Sequence, residues 1–438
     1  MNYSANDVIS FIEENDVKFI RLSFCDILGN MKNIAIMPSA LRSAIANGVS
    51  IDGSAFTGFA YDNHSALLLV PDVSTLTVLP WRPQSGRVVR FFCDIKSPDN
   101  TDYCGDVRTA LKNTVKMIKD KGYSCEIGTE CEFYLFKTDE QGEPTRIPND
   151  KASYLDVAPL DKCENIRREI CLTLEEMGFS PESSRHEYGF GQNEIDFKHN
   201  DILSSADNLA HFKSIVKTIA ANNGLYASFM PKPLKGQHGN SLHINISVKK
   251  NGKNIFSPDE KNQTDDGRYF IAGILNRIKE ITAFLNPTTN SYSRFGECLA
   301  PKYIDWSYEN RSQLIRIPKT TASNARIELR SADPACNPYI AINLILRAGI
   351  EGIENKIQLS APKSDTVSDV NLKSLPESLS EAYELAKSSE FVSKSLDDGI
   401  LQPIYATMEN LLAKYNVAED KKEFEDKVYF NSNYFNSI

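Results

Sequence analysis

Two glutamates, Glu130 and Glu132, stand two residues apart in the apolar segment EIGTECEFYLF. Because side chains alternate across a β-strand, this spacing places both carboxylates on one face, while Cys131 and Phe133 point to the other. Carboxylates that are buried side by side repel each other unless a cation lies between them. The segment therefore predicts a strand with one apolar and one acidic face, and the acidic face is either solvated or part of a metal site.

The same pattern of ligand-type side chains recurs on three further strand-like segments, and this recurrence favours the metal site. The segments are RHEYGFGQNEIDF with Glu187 and Glu194, SLHINIS with His243, Asn245 and Ser247 on one face, and ARIELRS with Arg326, Glu328 and Arg330 on one face. Five carboxylates and one imidazole are hard ligands that suit Mg²⁺ or Mn²⁺. The nine cysteines include no C-x-x-C pair, which argues against zinc and predicts buried, reduced thiols.

Arginines form a second group of candidates, namely Arg294, Arg311, Arg316, Arg326 and Arg330. Solubility at the surface is the usual role of arginine. Arg316 in LIRIP and Arg330 in IELRS, however, lie in segments too apolar for a solvated face. Buried guanidinium groups need anions such as phosphate or carboxylate, and divalent metals beside them indicate phosphoryl transfer from a nucleotide. The chain has neither a P-loop motif nor G-x-G-x-x-G, so another fold must hold that nucleotide.

The length of 438 residues predicts two or three domains. Short apolar runs separated by Pro and Gly, with a hairpin predicted around Gly29, indicate a small β-rich domain over residues 1–104. Helices and strands alternate afterwards, and the last segment is mainly helical. The net charge of −9 argues against nucleic acid as a partner. The sequence has no signal peptide and no stretch of ~20 apolar residues, which predicts a cytoplasmic protein without a membrane partner.

These motifs, in this order, resemble those of class I glutamine synthetases. The resemblance covers nearly the whole chain through IDGSAFTGF, GTECEF, RHEYGFGQNEI, MPKPLKGQHGNSLH, TNSYSR, NRSQLIRIP and RIELRSADPACNPYIA. It implies an α+β fold, with an N-terminal β-grasp domain over 1–104 and a catalytic domain over 105–438. In that catalytic domain a curved antiparallel sheet, flanked by helices, forms half of a funnel-shaped active site. The resemblance also implies a homo-oligomer of two stacked hexameric rings, with each active site at a subunit junction.

The resemblance further implies a role for each matching residue. Two divalent ions would be bound by two sets of ligands, the first Glu132, Glu187 and Glu194 and the second Glu130, His243 and Glu328. Substrate glutamate would meet Gly239, Arg294 and, at its γ-carboxylate, Arg330. The transferring phosphate would meet Arg311 and Arg316, and the nucleotide Asn245, Ser247 and Arg316. Asp52 of a neighbouring subunit would bind and deprotonate the ammonium, in a pocket that Tyr154 also lines.

Three motifs depart from the family pattern, and all three concern the substrate side. The flap segment RFGECLAP, residues 294–301, is one residue shorter than in the family. Aligned from its Ala-Pro end, Leu299 takes the place of the flap glutamate, and Glu297 is the candidate substitute. His238 stands where the family has a glutamate-binding asparagine. Tyr188 begins Tyr-Gly-Phe in place of Val-Ala-Pro, a pattern associated with relatives that use larger amines.

The sequence thus predicts ATP-dependent ligation of ammonia to the γ-carboxylate of L-glutamate through a γ-glutamyl phosphate. Two Mg²⁺ or Mn²⁺ ions would serve each active site. Two alternatives stay open, namely a related ligase that joins glutamate to a larger organic amine, and a catalytically weak paralogue that binds nucleotide or glutamate as a regulatory partner. The retained metal ligands argue against the paralogue, because buried charges without a function are costly.

Overall fold

The computed structural model describes residues 4–56, 66–81, 85–363 and 373–430. Within these residues the helices are α1 (Ala5–Glu14), α2 (Leu41–Asn47), α3 (Val107–Asp120), α4 (Glu164–Glu176), α5 (Ile202–Asn222), α6 (Asp265–Leu285), α7 (Pro338–Glu354), α8 (Leu379–Lys387), α9 (Glu390–Ser395), α10 (Asp398–Val417) and α11 (Lys421–Glu425). The strands before the catalytic region are β1 (Val17–Cys25), β2 (Met31–Ile36), β3 (Val49–Asp52), β4 (Ala66–Pro71), β5 (Thr77–Val78) and β6 (Arg87–Lys96). The later strands are β7 (Tyr123–Thr138), β8 (Pro144–Pro148), β9 (Pro181–His186), β10 (Gln192–Phe197), β11 (Asn200–Asp201), β12 (Leu225–Ser228), β13 (Leu242–Lys250), β14 (Lys253–Asn254), β15 (Trp306–Tyr308), β16 (Ile315–Ile317) and β17 (Ile327–Leu329).

The N-terminal sheet is built on the predicted hairpin, which is confirmed. Strands β1 and β2 pair antiparallel around a turn in which Gly29 has φ +84°, a conformation that favours glycine. Asp26 Oδ1 closes the turn by accepting from the backbone N–H groups of Leu28 and Asn30. Strand β1 also runs parallel to β6, which gives the order β2-β1-β6-β4-β3 with β5 on β6. The result is a mixed six-stranded sheet within the described residues.

The second sheet is organised around the 16-residue strand β7. Its order is β15-β16-β17-β13-β7-β10-β9, and β8, β11 and β12 also pair with β7. Antiparallel pairing sets His243 of β13 opposite Glu130 and sets Glu194 of β10 opposite Glu132. Asn245 lies opposite Glu328 of β17. The register therefore brings ligand-type side chains of four strands to one level of one face.

Helices cover the opposite face of this sheet, as the apolar side of β7 requires. Cys131 and Phe133 are fully buried, and the Phe133 ring lies 6.1 Å from Phe212 of α5 and 5.7 Å from Phe229. The predicted alternation of β7 is therefore confirmed. None of the helices in the described ranges is long and apolar enough to cross a bilayer.

One buried arginine of α3 joins the N-terminal sheet to helix α5. Arg108, in the first turn of α3, lies 2.6 Å from Asp94 of β6 and 3.0 Å from Asp72. Its guanidinium also lies 2.9 Å from Asp207 of α5. Lys112 also pairs with Asp94 at 2.6 Å and with Asp72 at 3.5 Å. Removal of Arg108 would therefore affect the buried Asp207 most, because Asp207 would lose its ion pair.

Candidate active site

A polar pocket of about 190 Å³ opens over the acidic face of β7. It is lined by Glu130, Glu132, Tyr154, Arg185, Glu187, Tyr188, Glu194, His238, Gly239, Ser241, His243, Cys298, Leu299, Ala300, Arg311, Arg316 and Arg330. Most of the residues singled out in the sequence thus meet in one place, although they come from segments up to 200 residues apart.

Three carboxylates form the first cluster in this pocket. Oxygen atoms of Glu132, Glu187 and Glu194 all lie within 4.8 Å of one another. Burial and the charge of Glu187 raise the pKa of Glu132 to about 8, and burial and Glu132 raise the pKa of Glu194 well above its ordinary value. Arg185 offsets only part of this charge, with Nη1 2.7 Å from Glu194. Carboxylates that repel each other in this way fit a divalent cation.

A second cluster surrounds the imidazole of His243. Ligand atoms of His243, Glu130 and Glu194 lie within 4.8 Å of one another, and Glu328 Oε1 is 3.5 Å from His243 Nδ1. Burial and the charge of Arg330 lower the pKa of His243, which favours the neutral, metal-binding form of the ring. Glu328 also accepts from Arg330 and from a second arginine of the pocket. Glu194 therefore lies between the two clusters, whereas the sequence assigned it to the first alone.

The arginines lie where a ligand with negative charge would enter. Arg294 is fully buried, and its Nη2 donates to Ser241 Oγ at 2.8 Å while its Nε has no partner. Arg330 Nε is also buried without a partner. A Cβ at Gly239 would lie 2.6 Å from Arg294 Cγ, so only glycine fits there. Buried N–H groups without acceptors are expected where an anionic substrate supplies them.

Asn245 and Ser247 continue the face of β13 away from the pocket. Asn245 Nδ2 donates to Glu130 Oε1 at 2.9 Å, and its Oδ1 accepts from Arg326 Nε at 3.0 Å. Ser247 Oγ accepts from Asn254 Nδ2 at 3.2 Å. Neither residue lines the pocket itself, so the predicted nucleotide contacts lie beside it.

The rim of the pocket carries a stack of three rings that the sequence did not predict. The rings of Tyr154 and Tyr188 are 4.5 Å apart and 6° from parallel, and Tyr188 and His238 are 4.8 Å apart and 13° from parallel. Two of the three, Tyr188 and His238, are departures from the family pattern. Two aromatic replacements at one rim were the signal that could have revealed the stack.

A buried pair behind the rim was also missed. His186 Nε2 lies 2.9 Å from Asp150 Oδ1, and Asp150 also accepts from the backbone N–H of Gly191. Although burial opposes it, the bond to Asp150 raises the pKa of His186. Asp161 completes a group that could hold an ion, but it is bound by Arg167. The group therefore joins the loop of Tyr154 to the loop of Tyr188.

Asp52 and Glu297 lie outside the pocket lining, as do Arg294, Glu328, Asn245 and Ser247. Asp52 ends β3, and its Oδ1 accepts from the backbone N–H and the hydroxyl of Ser54. Residues 57–59 of the IDGSAFTGF motif lie outside the described residues. Glu297 is 2.6 Å from Lys232 Nζ and has a side chain that is 58% exposed. Leu299, two residues later in the flap segment, lines the pocket together with Cys298 and Ala300.

Two family models match the chain, namely the glutamine synthetase β-grasp domain over residues 16–98 and the glutamine synthetase catalytic domain over residues 104–427. The chain belongs to the glutamine synthetase family. The predicted family and the α+β fold with a β-grasp N-terminal domain are thereby confirmed, as is ATP-dependent glutamate–ammonia ligase activity. Membership also implies the use of ATP, glutamate, ammonia and a divalent metal.

Individual relatives agree with this assignment over almost their full lengths. Glutamine synthetase of Clostridium saccharobutylicum is 44% identical over 409 residues, which are 91% of this chain and 92% of that protein. Glutamine synthetase of Methanosarcina mazei is 45% identical over 405 residues, 90% of this chain and 91% of its own. Solved structures of GmaS, as an ADP complex and without ligand, each have a TM-score of 0.86 at 28% identity. They cover 97% of this chain and 99% and 100% of theirs.

Proposed function

We propose that this glutamine synthetase uses the pocket over β7 both to phosphorylate the γ-carboxylate of L-glutamate and to couple the product to ammonia. One observation carries the proposal: clustered carboxylates, the imidazole of His243 and buried guanidinium N–H groups without partners line or adjoin a single pocket. A merely structural role would leave no reason to keep these charges together.

The donor set fits two Mg²⁺ or Mn²⁺ ions. Glu132, Glu187 and Glu194 would hold one, and Glu130, His243 and Glu328 the other, with Glu194 close to both. When bound, such ions offset the charge on the phosphates of ATP during transfer. Burial raises the pKa of Glu132 and Glu194 and so favours their protonated forms. A bound cation would favour the charged carboxylates instead, so these protons would be released on metal binding.

The remaining residues would bind and orient the substrates. Arg294 and Gly239 would hold glutamate, and Arg330 would aim its γ-carboxylate oxygen at the γ-phosphorus of ATP. That oxygen forms the new bond as ADP leaves, while Arg311 and Arg316 stabilise the transferring group. Asn245, Ser247 and Arg316 would contact the nucleotide. Asp52 would bind ammonium and take one proton from it. The ammonia then attacks the acyl carbon, and phosphate leaves as hydrogen phosphate with the second proton that the nitrogen loses.

We infer that Asp52 acts from a second copy of the chain, because it does not line the pocket of its own chain. The segment after Tyr154 exposes three apolar side chains, Leu155 at 58%, Val157 at 71% and Leu160 at 61%. Exposed apolar side chains next to a pocket support an interface there. We therefore retain the homo-oligomer of two hexameric rings, with the β-grasp domain of residues 1–104 of one chain beside the catalytic domain of residues 105–438 of the next.

One feature favours a second candidate, a ligase for a larger amine. Leu299 lines the pocket where the family has a flap glutamate, and the ring stack lies at the same rim. An apolar side chain there removes negative charge from the ammonium side and adds contact for alkyl groups.

The decisive experiment measures phosphate release and product mass with ATP, L-glutamate, Mg²⁺ and a panel of ammonium, methylamine and ethylamine. We expect glutamine, with phosphate release that depends on glutamate. A higher kcat/KM for ethylamine than for ammonium would favour the second candidate. Absence of turnover with every amine would instead favour the catalytically weak paralogue.

A further inference from the structure

Lys232 connects two loops that the proposed reaction needs. It lies in the MPKP segment, and its side chain is only 8% exposed. Its Nζ donates to the backbone carbonyl of Gln237 at 2.7 Å and to Glu297 Oε2 at 2.6 Å. One ammonium group thus holds both the loop of residues 232–239, here called the glutamate loop, and the flap, which here means residues 296–300 of the flap segment 294–301.

The flap has a fixed shape of its own. Gly296 N–H donates to the Ala300 carbonyl at 3.0 Å, and Ala300 N–H donates to the Glu297 carbonyl at 2.9 Å. Cys298 and Leu299 have φ of +48° and +69°, in the left-handed region. A turn closed in this way moves as a unit, so an attachment at Glu297 also positions Leu299 over the pocket.

The glutamate loop is in turn anchored to the rim and to the sheet. Gln237 Oε1 accepts from Phe190 N–H at 3.2 Å, and the His238 carbonyl accepts from Tyr134 Oη at 2.6 Å. Gln192 Nε2 donates to the Gly239 carbonyl at 3.1 Å. The glutamate loop is therefore the fixed partner of the Lys232–Glu297 pair, and the flap is the part that the pair restrains.

We propose that Lys232 and Glu297 are positioning residues that tether the flap to the glutamate loop and so keep water from the acyl phosphate. The inference rests on the proposed function, and it gives Glu297 a role other than binding the amine. Its carboxylate is directed to Lys232 and does not line the pocket, whereas Leu299 does. An acyl phosphate that meets water returns glutamate and free phosphate, so a loose flap wastes ATP without forming glutamine.

The test is the ratio of phosphate released to glutamine formed, in wild type, Glu297→Gln, Lys232→Met and the double variant. We expect the excess of phosphate to rise about two- to fivefold in Glu297→Gln, the range expected for one partly exposed ion pair. KM for ammonium should change by less than about twofold. The double variant should be no worse than Lys232→Met alone, because both changes remove the same tether. Glu390→Gln, which removes an exposed pair with Lys394 on α9, is the matched control.

Hydrogen exchange supplies a readout that does not depend on turnover. Peptides that cover residues 296–300 should exchange faster in Glu297→Gln than in wild type or in Glu390→Gln. If wild type makes glutamine, and Glu297→Gln changes neither the ratio of phosphate to glutamine nor the hydrogen exchange of the flap, the proposed function stands while the tether is overturned. A large rise in KM for ammonium without uncoupling would also overturn it and return Glu297 to the amine site. A wild type that never forms glutamine would overturn the proposed function itself.

Discussion

The floor of the pocket lies on paired strands, whereas its rim is made of loops. On the floor, Glu130 and His243 are fixed by strand pairing, and so are Glu132 and Glu194. The rim instead combines Tyr154, the loop that begins at Tyr188, the glutamate loop and the flap, and three of these four depart from the family pattern. Strand pairing thus fixes the chemistry that the family shares, and the loops are free to set what the enzyme accepts.

The largest effect should come from the floor. Glu130→Ala or His243→Ala should lower phosphoryl transfer by about 10³-fold, since the developing charge loses a stabilising group. Glu126→Ala is the control. Glu126 lies on the same face of β7, but it pairs with Lys249 and does not line the pocket. Phosphate release measures the loss of phosphoryl transfer, and Mn²⁺ titration measures the loss of metal binding. Near-normal turnover in either variant would contradict the role of the floor in phosphoryl transfer.

A mixing experiment tests whether the rim is completed by a second chain. Asp52→Ala and Arg330→Ala should each be inactive alone. After mixing and reassembly, about a quarter of the junctions would carry both native residues, so activity should return in that proportion. Mass measurement of the mixed rings is the control. Rings that are mixed but inactive would contradict the action of Asp52 across a subunit junction.

The flap should affect the choice of amine much more than the rate. Each buried methylene contributes ~0.8 kcal/mol, about fourfold in kcat/KM. Leu299→Glu should therefore shift preference from ethylamine toward ammonium by at least about fourfold, because it restores negative charge and removes apolar contact. Leu172→Glu, at an exposed position on α4, is the control. If wild type prefers ammonium and loses that preference in Glu297→Ala, then Glu297 and not Leu299 determines the acceptor.

The smallest effect concerns protons on the floor. A carboxyl group whose pKa is raised on folding stabilises the fold below its ordinary pKa, and this stability is lost as pH rises through the raised value. For Glu132 that value is about 8. Metal-free protein should therefore lose Tm between pH 5 and pH 8, and Mn²⁺ should restore it while releasing protons. In Glu132→Gln the pH slope should flatten; calorimetry in two buffers counts the protons, and an unchanged slope contradicts the assignment.

Period-2 alternation was enough to predict which side chains of each floor strand share a face, whereas the two sets of metal ligands came from the resemblance to the family. Glu130 and Glu132 could be separated from Cys131 because a strand allows only two faces, and the hairpin at Gly29 followed from the same pattern. The rim could not be derived in this way. Tyr154, Tyr188 and His238 stack only because three loops meet, and Lys232 and Glu297 are 65 residues apart without a periodic relation. The proposed action of Asp52 in a second chain cannot be derived from the fold of one chain.

The two faces of β7 also affect how this enzyme tolerates mutation. Cys131 is fully buried in the hydrophobic core, and its neighbours on each side are Glu130 and Glu132. A substitution that shifts Cys131 by a fraction of an ångström would move both ligands, even if the protein still folds. Random mutagenesis scored by growth without glutamine should therefore recover core positions behind β7 that a screen for thermal stability passes over. Along this strand, evolutionary drift in the interior is restrained by catalysis as well as by folding.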